Sequence, residues 1–383
     1  MFLALRDLRF ATGRFALMGS VVALISLLLV MLSGLTAGLG GQNTAAIDRL
    51  GEQGVQRLVF GGAAGQEPTA SFTQSEFTVA QRDAWAATDG VASVEPLGVS
   101  QGRAIGLEHP VDTDPQGRAD VSGEPTTGVA TTAFIGLTPG GSDAPAGVEP
   151  GQIVLSQDVA DSLHAQAGDA VAVSGFVYTV ADVVPTEYYS HSPVTWLALE
   201  DWNAISHTAD DAVLGTAGLV RFDAGADVDA VAAAGDDAAG TVAETVKGSY
   251  AALPSYRSEN GSLMTMQGFL YGISALVVIA FLSIWTVQRT RDIAVLKALG
   301  GSNGWVLKDS LAQAAFVLVG GVAVGTGLAA VVGAFAGRAV PFELSWATTA
   351  VPAAGVLMLG MLAAVIAVYR VTRIDPLVAL GGN

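Results

Sequence analysis

Four long stretches of the chain contain no charged residue and consist mainly of apolar side chains. They are Phe15–Ile47, Asn260–Gln288, Ser310–Gly337 and Leu344–Tyr369. A helix needs roughly 20 apolar residues to cross about 30 Å of hydrocarbon, and each stretch is long enough. The pattern predicts four transmembrane helices, at residues 16–40, 261–288, 309–336 and 347–369.

The first stretch follows a basic start, as the apolar core of a secretory signal does. It is longer than such a core usually is, and the small residues around Gly34–Gly41 make only a weak cleavage site. We therefore expect an uncleaved membrane anchor.

The segment between the first two predicted helices has a different pattern. Short β-rich runs alternate there with turns rich in Gly, Pro and Asp. The runs are Gln56–Phe60, Val91–Val99, Thr132–Leu137, Gln152–Leu155, Ala170–Val173 and Val177–Val184. A short helix that starts on a serine cap is predicted at Ser156–Asp169, and a loose helix pair at Ala224–Gly248. Strands and helices mix without a regular βαβ period, so an α+β domain is expected at residues 41–260.

Half of the 18 Lys and Arg residues lie close to the predicted helices and on one side of them. They are Arg6, Arg9, Arg14, Arg289, Arg291, Lys297, Lys308, Arg370 and Arg373. Cytoplasmic flanks carry an excess of Lys and Arg. We therefore expect a multi-pass protein of the cell membrane with both termini cytoplasmic and the large domain extracytoplasmic. The fold prediction is a 1+3 arrangement of four transmembrane α-helices, with this α+β domain inserted between helices one and two.

The acidic residues are concentrated in the predicted outer domain, which accounts for the net charge of −17. Such a charge argues against nucleic acid as a partner. It suits a solvated domain that does not bind anionic headgroups. The chain has no cysteine, so disulfides and thiolate metal sites are excluded.

The predicted cytoplasmic segments include two short amphipathic helices. In residues 1–15, Leu5 and Leu8 space like one face of a helix that lies on the inner membrane surface; a plain extension of helix one is the alternative. Residues 289–308 continue the second helix up to a pair of glycines, which commonly end helices. This segment suits docking on a cytoplasmic partner, and a surface-lying turn without a partner is the alternative. A short external loop at 337–346 and a cytoplasmic tail at 370–383 complete the predicted organisation.

Three stretches resemble the MacB/FtsX-type (type VII) permeases of ABC transporters. They are RTRDIAVLKALGGSNGWVLK at 289–308, YRVTRIDPLVALGG at 369–382 and IVLSQDVADSLHAQAGDAVAVSGFVYTVADVV at 153–184. Within the family, the haem-exporter (HrtB-like) and DevC-like permeases are similar over three further stretches. These are FLALRDLRFATGRFALMG, EYYSHSPVTWLALEDW and LPSYRSENGSLMTMQGFLYGISALV.

The resemblance implies a non-catalytic transmembrane subunit that forms a homodimer and recruits two copies of a separate ATPase. The chain has no Gly-Lys-Ser/Thr phosphate loop, so ATP and Mg would be used by the partner, and this chain would bind no catalytic cofactor. By the resemblance, mechanotransmission would carry the movement to the outer domain. The coupling residues would be Arg289, Arg291, Asp292, Ile293, Leu296, Lys297 and Leu299.

The outer end of the second predicted helix carries the candidate substrate ligands. They are Glu259, Met264, Met266 and Tyr271. Haem iron accepts Met, His, Tyr or carboxylate ligands, and Glu259 or Met266 is the expected iron ligand. On one helix these side chains fall on two faces, so a single helix does not bring all four to one iron. The alternative is that the methionines are fillers and Glu259 only complements the helix dipole.

A second group of candidates lies in the predicted outer domain, where an aromatic cluster either contacts a planar ligand or forms domain core. Its members are Tyr188, Tyr189, His191 and Trp196. Small-xxx-small patterns occur at Gly34–Gly38, Gly321–Gly325 and Gly333–Gly337 and allow helices to approach closely. Gly34 and Gly38 are predicted to pack in a dimer seam. Gln313 is predicted to form an interhelical hydrogen bond.

The function predicted from the resemblance is a permease that exports haem or another hydrophobic molecule. An FtsX-like regulator, which activates a cell-wall hydrolase without transport, is the alternative. The sequence leaves open the substrate, the direction of transport, the ATPase and the helix of the dimer seam.

Overall fold

The computed structural model describes residues 12–62, 65–206, 212–288 and 303–372. It forms two compact units, one made of Gly40–Glu259 and one made of Met1–Leu39 together with Asn260–Asn383. The predicted amphipathic helix before residue 12, the predicted coupling residues from Arg289 to Leu299 and most of the C-terminal tail lie outside the described residues.

Helices and strands are numbered along the described residues. The helices are α1 (Thr12–Glu52), α2 (Val79–Ala86), α3 (Gln157–Leu163), α4 (Leu199–Ile205), α5 (Val228–Ala239), α6 (Pro254–Gln288), α7 (Asn303–Ala336) and α8 (Trp346–Thr372). The strands are β1 (Arg57–Phe60), β2 (Phe77–Thr78), β3 (Val91–Leu107), β4 (Thr126–Leu137), β5 (Gln152–Ser156), β6 (Ala170–Val173), β7 (Phe176–Val184), β8 (Tyr188–Tyr189), β9 (Ser192–Ala198), β10 (Val213–Gly215), β11 (Ala217–Phe222) and β12 (Val242–Thr245).

Helices α1, α6, α7 and α8 are long and apolar enough to cross a membrane, which confirms the four predicted apolar helices. Two of them are longer than predicted. Helix α1 continues to Glu52, and α6 already begins at Pro254. Both extensions are polar, so hydropathy could not reveal them. Proline fits the first position of a helix, where its missing N–H removes no helical hydrogen bond.

Glycines allow the apolar helices to approach one another closely. A Cβ added to Gly325 of α7 would lie 2.2 Å from the carbonyl oxygen of Ala23 in α1. A Cβ on Gly321 would lie 2.9 Å from the carbonyl oxygen of Gly19. Helix α1 therefore packs on α7 at a spacing that larger residues would prevent.

Gly34 and Gly38, which are predicted to pack in a dimer seam, contact the loop after α7. A Cβ on Gly34 would lie 2.3 Å from the Phe342 ring, and a Cβ on Gly38 would lie 2.2 Å from the Pro341 carbonyl oxygen. Gly333 of α7 also packs against this ring. The prediction assigned Gly34 and Gly38 to a dimer seam, whereas the structure fills the space beside them with a loop of the same chain.

The unit Gly40–Glu259 contains a lobe with split β-α-β topology. Its strands follow the order β12-β1-β11-β3, and every neighbouring pair is antiparallel. Helices α2 and α5 cover one face, and Trp85 is fully buried between them and the sheet. This is the β-α-β-β-α-β order of ferredoxin-like folds, with a long insertion between β3 and β11.

The insertion closes into a six-stranded barrel. Strands β3, β4, β9, β5, β7 and β6 pair in that order, and β6 pairs back with β3. The 17-residue strand β3 belongs to both lobes. Strands β4 and β9, and likewise β5 and β7, run parallel. The mixture of parallel and antiparallel strands with short helices is the α+β arrangement that the irregular sequence pattern indicated.

The region Ala224–Gly248 differs from its prediction. It holds one helix, α5, and not a helix pair. Gly240 ends α5 in the left-handed region with φ of 63°, and the chain then forms β12 beside β1. The Ala- and Asp-rich sequence gave no signal for this strand, because its pairing partner lies far away along the chain.

A glycine pair makes room for Trp202 on the barrel. Gly98 and Gly136 are cross-strand partners in β3 and β4. Added Cβ atoms would lie 2.2 Å and 2.4 Å from atoms of Trp202. The indole N–H donates to the hydroxyl of Ser100 at 3.0 Å. Trp202 is therefore fixed both by shape and by a hydrogen bond.

We predict that Gly98→Ala lowers the free energy of unfolding by about 1–3 kcal/mol, because overpacking displaces the Trp202 indole. Thermal unfolding of the purified chain followed by tryptophan fluorescence measures the effect. Gly261→Ala is the matched control. No heavy atom lies within 4 Å of its added Cβ, so stability should stay equal or rise slightly. Equal stability of both variants would contradict the packing argument.

Candidate functional site

A polar cluster in the unit Gly40–Glu259 contains Glu259, one of the two expected iron ligands. His191 Nε2 lies 2.9 and 3.0 Å from the two carboxylate oxygens of Glu259. The side-chain amide of Asn43 donates to the same carboxylate at 3.2 Å and lies 3.0 Å from His191 Nε2. When Nε2 carries the proton, the carboxylate accepts from both neighbours. We refer to Asn43, His191 and Glu259 as the polar triad.

The triad joins three elements that are distant in sequence. Asn43 lies on α1, His191 in the turn between β8 and β9, and Glu259 on α6. Asn43 is buried, with 1 % of its surface exposed, and its amide oxygen accepts from the hydroxyl of Ser255 at 2.7 Å. Ser190 Oγ lies 2.8 Å from Ser255 Oγ. A continuous hydrogen-bond network therefore connects α1, α6 and the hairpin.

The hairpin that carries His191 has an unusual backbone. Ser190 has φ of 47° and His191 has φ of 63°. Two-residue turns of this kind favour Asn and Gly, because the left-handed region costs other residues about 1–2 kcal/mol each. Here the backbone N–H of Ser190 donates to the carbonyl of Asn43 at 3.0 Å, and that of His191 to the carbonyl of Gln42 at 2.9 Å. These bonds to α1 hold the imidazole in place at the cost of local strain.

The aromatic cluster divides into a core part and a network part. Tyr189 is buried and packs edge-on against Phe72, and burial raises the pKa of its hydroxyl. Trp196 is also buried, with the Arg49 guanidinium 5.5 Å above its ring. The Tyr188 hydroxyl donates to the carboxylate of Asp158, and this bond raises its pKa to about 12. Among these four residues only His191 contributes to the triad.

A second polar region follows along α1. Arg49 lies 3.5 Å from the carboxylate of Glu187, at a cavity of about 500 Å³ that Asp48 and Glu52 also line. Burial raises the pKa of Glu187, Arg49 lowers it in opposition, and the nearby Glu52 raises it further. The Tyr250 hydroxyl donates to Asp48. The Glu187 contact fastens the end of α1 to the segment between β7 and β8, and the Tyr250 contact fastens it to the segment after β12.

The unit of long helices contains an apolar cavity of about 570 Å³. Side chains of α1, of α6, of the last residue of α7 and of the segment after it line the cavity. They are Leu28, Met31, Leu32, Leu35, Met266, Phe269, Leu270, Ala336, Val340 and Phe342. The Gln267 amide donates to Thr36 Oγ1 at 3.2 Å and ties α6 to α1. The cavity can hold a hydrophobic group and offers the Met266 thioether as a soft ligand.

The four predicted substrate ligands therefore have different surroundings. Glu259 belongs to the polar triad, and Met266 lines the apolar cavity. Met264 is 61 % exposed and does not line the cavity. Tyr271 packs on α8, where a Cβ on Gly355 would lie 2.8 Å from its ring. Its environment is that of a helix-packing residue.

Two other observations complete the comparison with the sequence. The Gln313 amide donates to Asp309, one turn earlier in the same helix, at 2.9 Å.

Sequence reasoning missed Asn43 and Ser255 in the network. The available signal was weak: Asn43 is a polar residue near the end of a charge-free stretch, and Ser255 follows the proline that starts α6. Among the described residues, no group of three or more His, Cys, Asp or Glu could hold a metal ion.

We predict that Asn43→Ala lowers the free energy of unfolding by about 1–3 kcal/mol, because it removes the hydrogen bonds that the buried Asn43 side chain makes with Glu259, His191 and Ser255. Chemical unfolding of the full chain measures the loss. The control is Gln116→Ala at an exposed loop position, where the change should stay within about 0.5 kcal/mol. A loss at Asn43 no larger than in the control would show that the network does not stabilise the fold.

Glu187 should make the chain less stable as the pH rises. Its pKa is raised in the folded state, so the folded chain binds this proton more tightly than the unfolded chain does. Stability is therefore lost as the pH rises above 4.5, the ordinary pKa of the group. Glu187→Gln should flatten the pH dependence of the unfolding midpoint in this range, whereas Glu149→Gln, at an exposed position, should not. Identical pH profiles for Glu187→Gln and the unsubstituted chain would contradict this prediction.

Comparisons with known proteins place the chain in context. Residues 264–376 match the FtsX-like permease C-terminal family. A protein of Staphylococcus epidermidis named as a hemin transport system permease, HrtB, is 21 % identical over 100 % of both chains. An HrtB protein of Staphylococcus haemolyticus is 29 % identical over 34 % of this chain and 37 % of its own length.

Among solved structures, the extracellular domain of the noncanonical ABC-type transporter YknZ from Gram-positive bacteria aligns with 49 % of this chain and 95 % of its own. The identity is 15 % and the TM-score 0.32. The family match over α6–α8 and the full-length similarity to the HrtB relatives support an ABC transporter permease with an FtsX-like C-terminal part.

Proposed function

We propose that the chain is the permease subunit of an ABC exporter that moves haem or another hydrophobic or amphiphilic molecule out of the membrane. Its helices would adopt the 1+3 arrangement, with both termini cytoplasmic and the α+β domain extracytoplasmic. A separate ATPase, in two copies, would supply the energy. The observation that carries the proposal is the apolar cavity between α1 and α6.

The chemistry of the cavity supports a hydrophobic cargo. Its lining offers hydrocarbon and aromatic surface, which binds apolar molecules through burial of their surface. Met266 adds a thioether, a ligand type that haem iron accepts. The relatives named as hemin permeases support haem in particular, although their names describe those proteins and not this one.

The polar triad offers a second set of iron ligands. Imidazole and carboxylate both bind haem iron, but His191 and Glu259 are hydrogen-bonded to each other. Iron would therefore have to compete with this pair and with Asn43. The Glu259 carboxylate can bind either iron or its hydrogen-bond donors His191 and Asn43. We propose that this competition couples ligand binding to the contact between the hairpin and α6.

Mechanotransmission is supported by the continuity of two helices. Helix α1 has 41 residues and α6 has 35. Neither contains a proline beyond the first position, so no hydrogen bond of the helix ladder is lost. Nucleotide-driven movement at residues 289–299 would reach the outer domain through α6.

We further propose a homodimer, with the seam on α6. Gly34 and Gly38 are filled by the chain's own loop, whereas Gly268 and Gly272 of α6 have no heavy atom within 4 Å of an added Cβ. Their spacing is the small-xxx-small pattern of close helix pairs. A second copy of α6 is the partner that this pattern fits.

The test is a hemin titration of the full chain in lipid nanodiscs, followed at the Soret band. We expect a Soret shift, and Met266→Ala should weaken hemin affinity at least about fivefold, roughly 1 kcal/mol of binding free energy. Met264→Ala is the matched control, two residues away and outside the cavity, and should leave the affinity unchanged.

Glu259→Ala in the same titration reports on the triad as a second ligand set, and a weaker shift is expected. If the Soret band of hemin does not shift when the unsubstituted chain is present, haem is removed from the proposal. Equal affinities of Met264→Ala and Met266→Ala would remove the cavity as the binding site. Hemin export from vesicles that contain the ATPase then tests transport itself.

A further inference from the structure

The loop between α7 and α8 carries the inference, which rests on the proposed function because it concerns the same apolar cavity. Val340 and Phe342 of this loop form one wall of the cavity, and α1 and α6 form the opposite walls.

The Phe342 ring rests in a notch made by two glycines. Added Cβ atoms on Gly34 and Gly333 would lie 2.3 Å and 2.5 Å from ring atoms. The ring therefore sits directly on the backbones of α1 and α7. It cannot move further toward either helix, so a movement that makes room for a ligand has to take the ring out of this notch.

The loop is anchored in the residues that directly follow Phe342. The backbone N–H of Glu343 donates to the carbonyl of Gly34 at 3.0 Å. At the start of α8, the hydroxyl of Ser345 accepts from the N–H of Thr348 at 3.2 Å, and the hydroxyl of Thr348 accepts from the N–H of Ser345 at 2.9 Å. This reciprocal arrangement is a capping box, which fixes the chain at a helix start.

We propose that Phe342 sets the size limit of the apolar binding site. A ring that is fixed from behind by two helix backbones and held by an anchored loop forms a rigid wall. Slim or planar apolar molecules fit beside it, whereas bulky ones would need the ring to leave its glycine notch. Phe342 is in this sense a specificity-determining residue, and its role requires no contact with iron.

The absence of cysteine from the sequence allows a direct test on the full chain in lipid nanodiscs. Leu35→Cys introduces one thiol inside the cavity, and Met264→Cys introduces one outside it. The rates of labelling by N-ethylmaleimide and by the bulkier N-(1-pyrenyl)maleimide are measured for each. The labelling rate of the pyrenyl reagent divided by that of N-ethylmaleimide reports the size limit. This measurement does not require hemin.

We expect Phe342→Ala to raise this ratio about tenfold in the Leu35→Cys background, because the ring no longer excludes the bulky reagent. Phe342→Leu should give an intermediate value and covers the case in which the alanine variant does not fold. Phe316→Ala, an exposed apolar position on α7 outside the cavity, should leave the ratio unchanged. In the Met264→Cys background none of these substitutions should change it.

The inference is overturned if, in the Leu35→Cys background, both Phe342→Ala and Phe342→Leu change the ratio of the two labelling rates by less than twofold. A second measurement asks whether hemin slows the labelling of the Leu35→Cys thiol. Its result separates this outcome from a failure of the proposed function. A changed ratio without protection supports the size limit and rejects hemin as the occupant. Protection with an unchanged ratio supports the proposed function and rejects the role of Phe342.

Discussion

Close approach of helix backbones at glycine is the constraint on which the unit of long helices depends. Inside hydrocarbon, apolar side chains gain little from meeting one another, so association rests on van der Waals packing. Gly321 and Gly325 bring α7 onto α1, and Gly34 and Gly333 receive the Phe342 ring. Glycine in a helix costs about 1 kcal/mol relative to alanine, and these contacts offset that cost. The apolar cavity exists because the same notch fixes one of its walls.

The unit Gly40–Glu259 uses a different interaction, directed hydrogen bonds between polar groups. Its two lobes share β3, and each lobe has its own buried side chains, around Trp85 in one and Trp202 in the other. Within this unit, Asn43, Ser255 and Glu259 join the end of α1 to the start of α6. Because a buried amide without partners is expensive, this network specifies the position of the hairpin that carries His191, and the strained turn persists for that reason.

The candidate chemistry is accordingly divided between two environments. Met266 lines an apolar cavity, where burial of apolar surface would provide the affinity. Glu259 is surrounded by donors, where a carboxylate remains hydrogen-bonded without any ligand. An amphiphilic cargo of the kind proposed would meet both kinds of surface, since one of its ends is apolar and the other is charged.

The sequence by itself determined the four apolar helices, the mixed α+β character of the intervening segment, and the absence of thiols and of a phosphate loop. These features are local, because charge-free length, turn residues and motifs are written in consecutive residues. Only the tertiary structure decided which side chains meet. It placed His191 on Glu259, Phe342 on Gly34, and Tyr271 on Gly355, and it made β12 from a segment that reads as helix. Each of these pairs is separated by tens to hundreds of residues, and a contact between such residues depends on the packing of several elements at once, which no single stretch of sequence encodes.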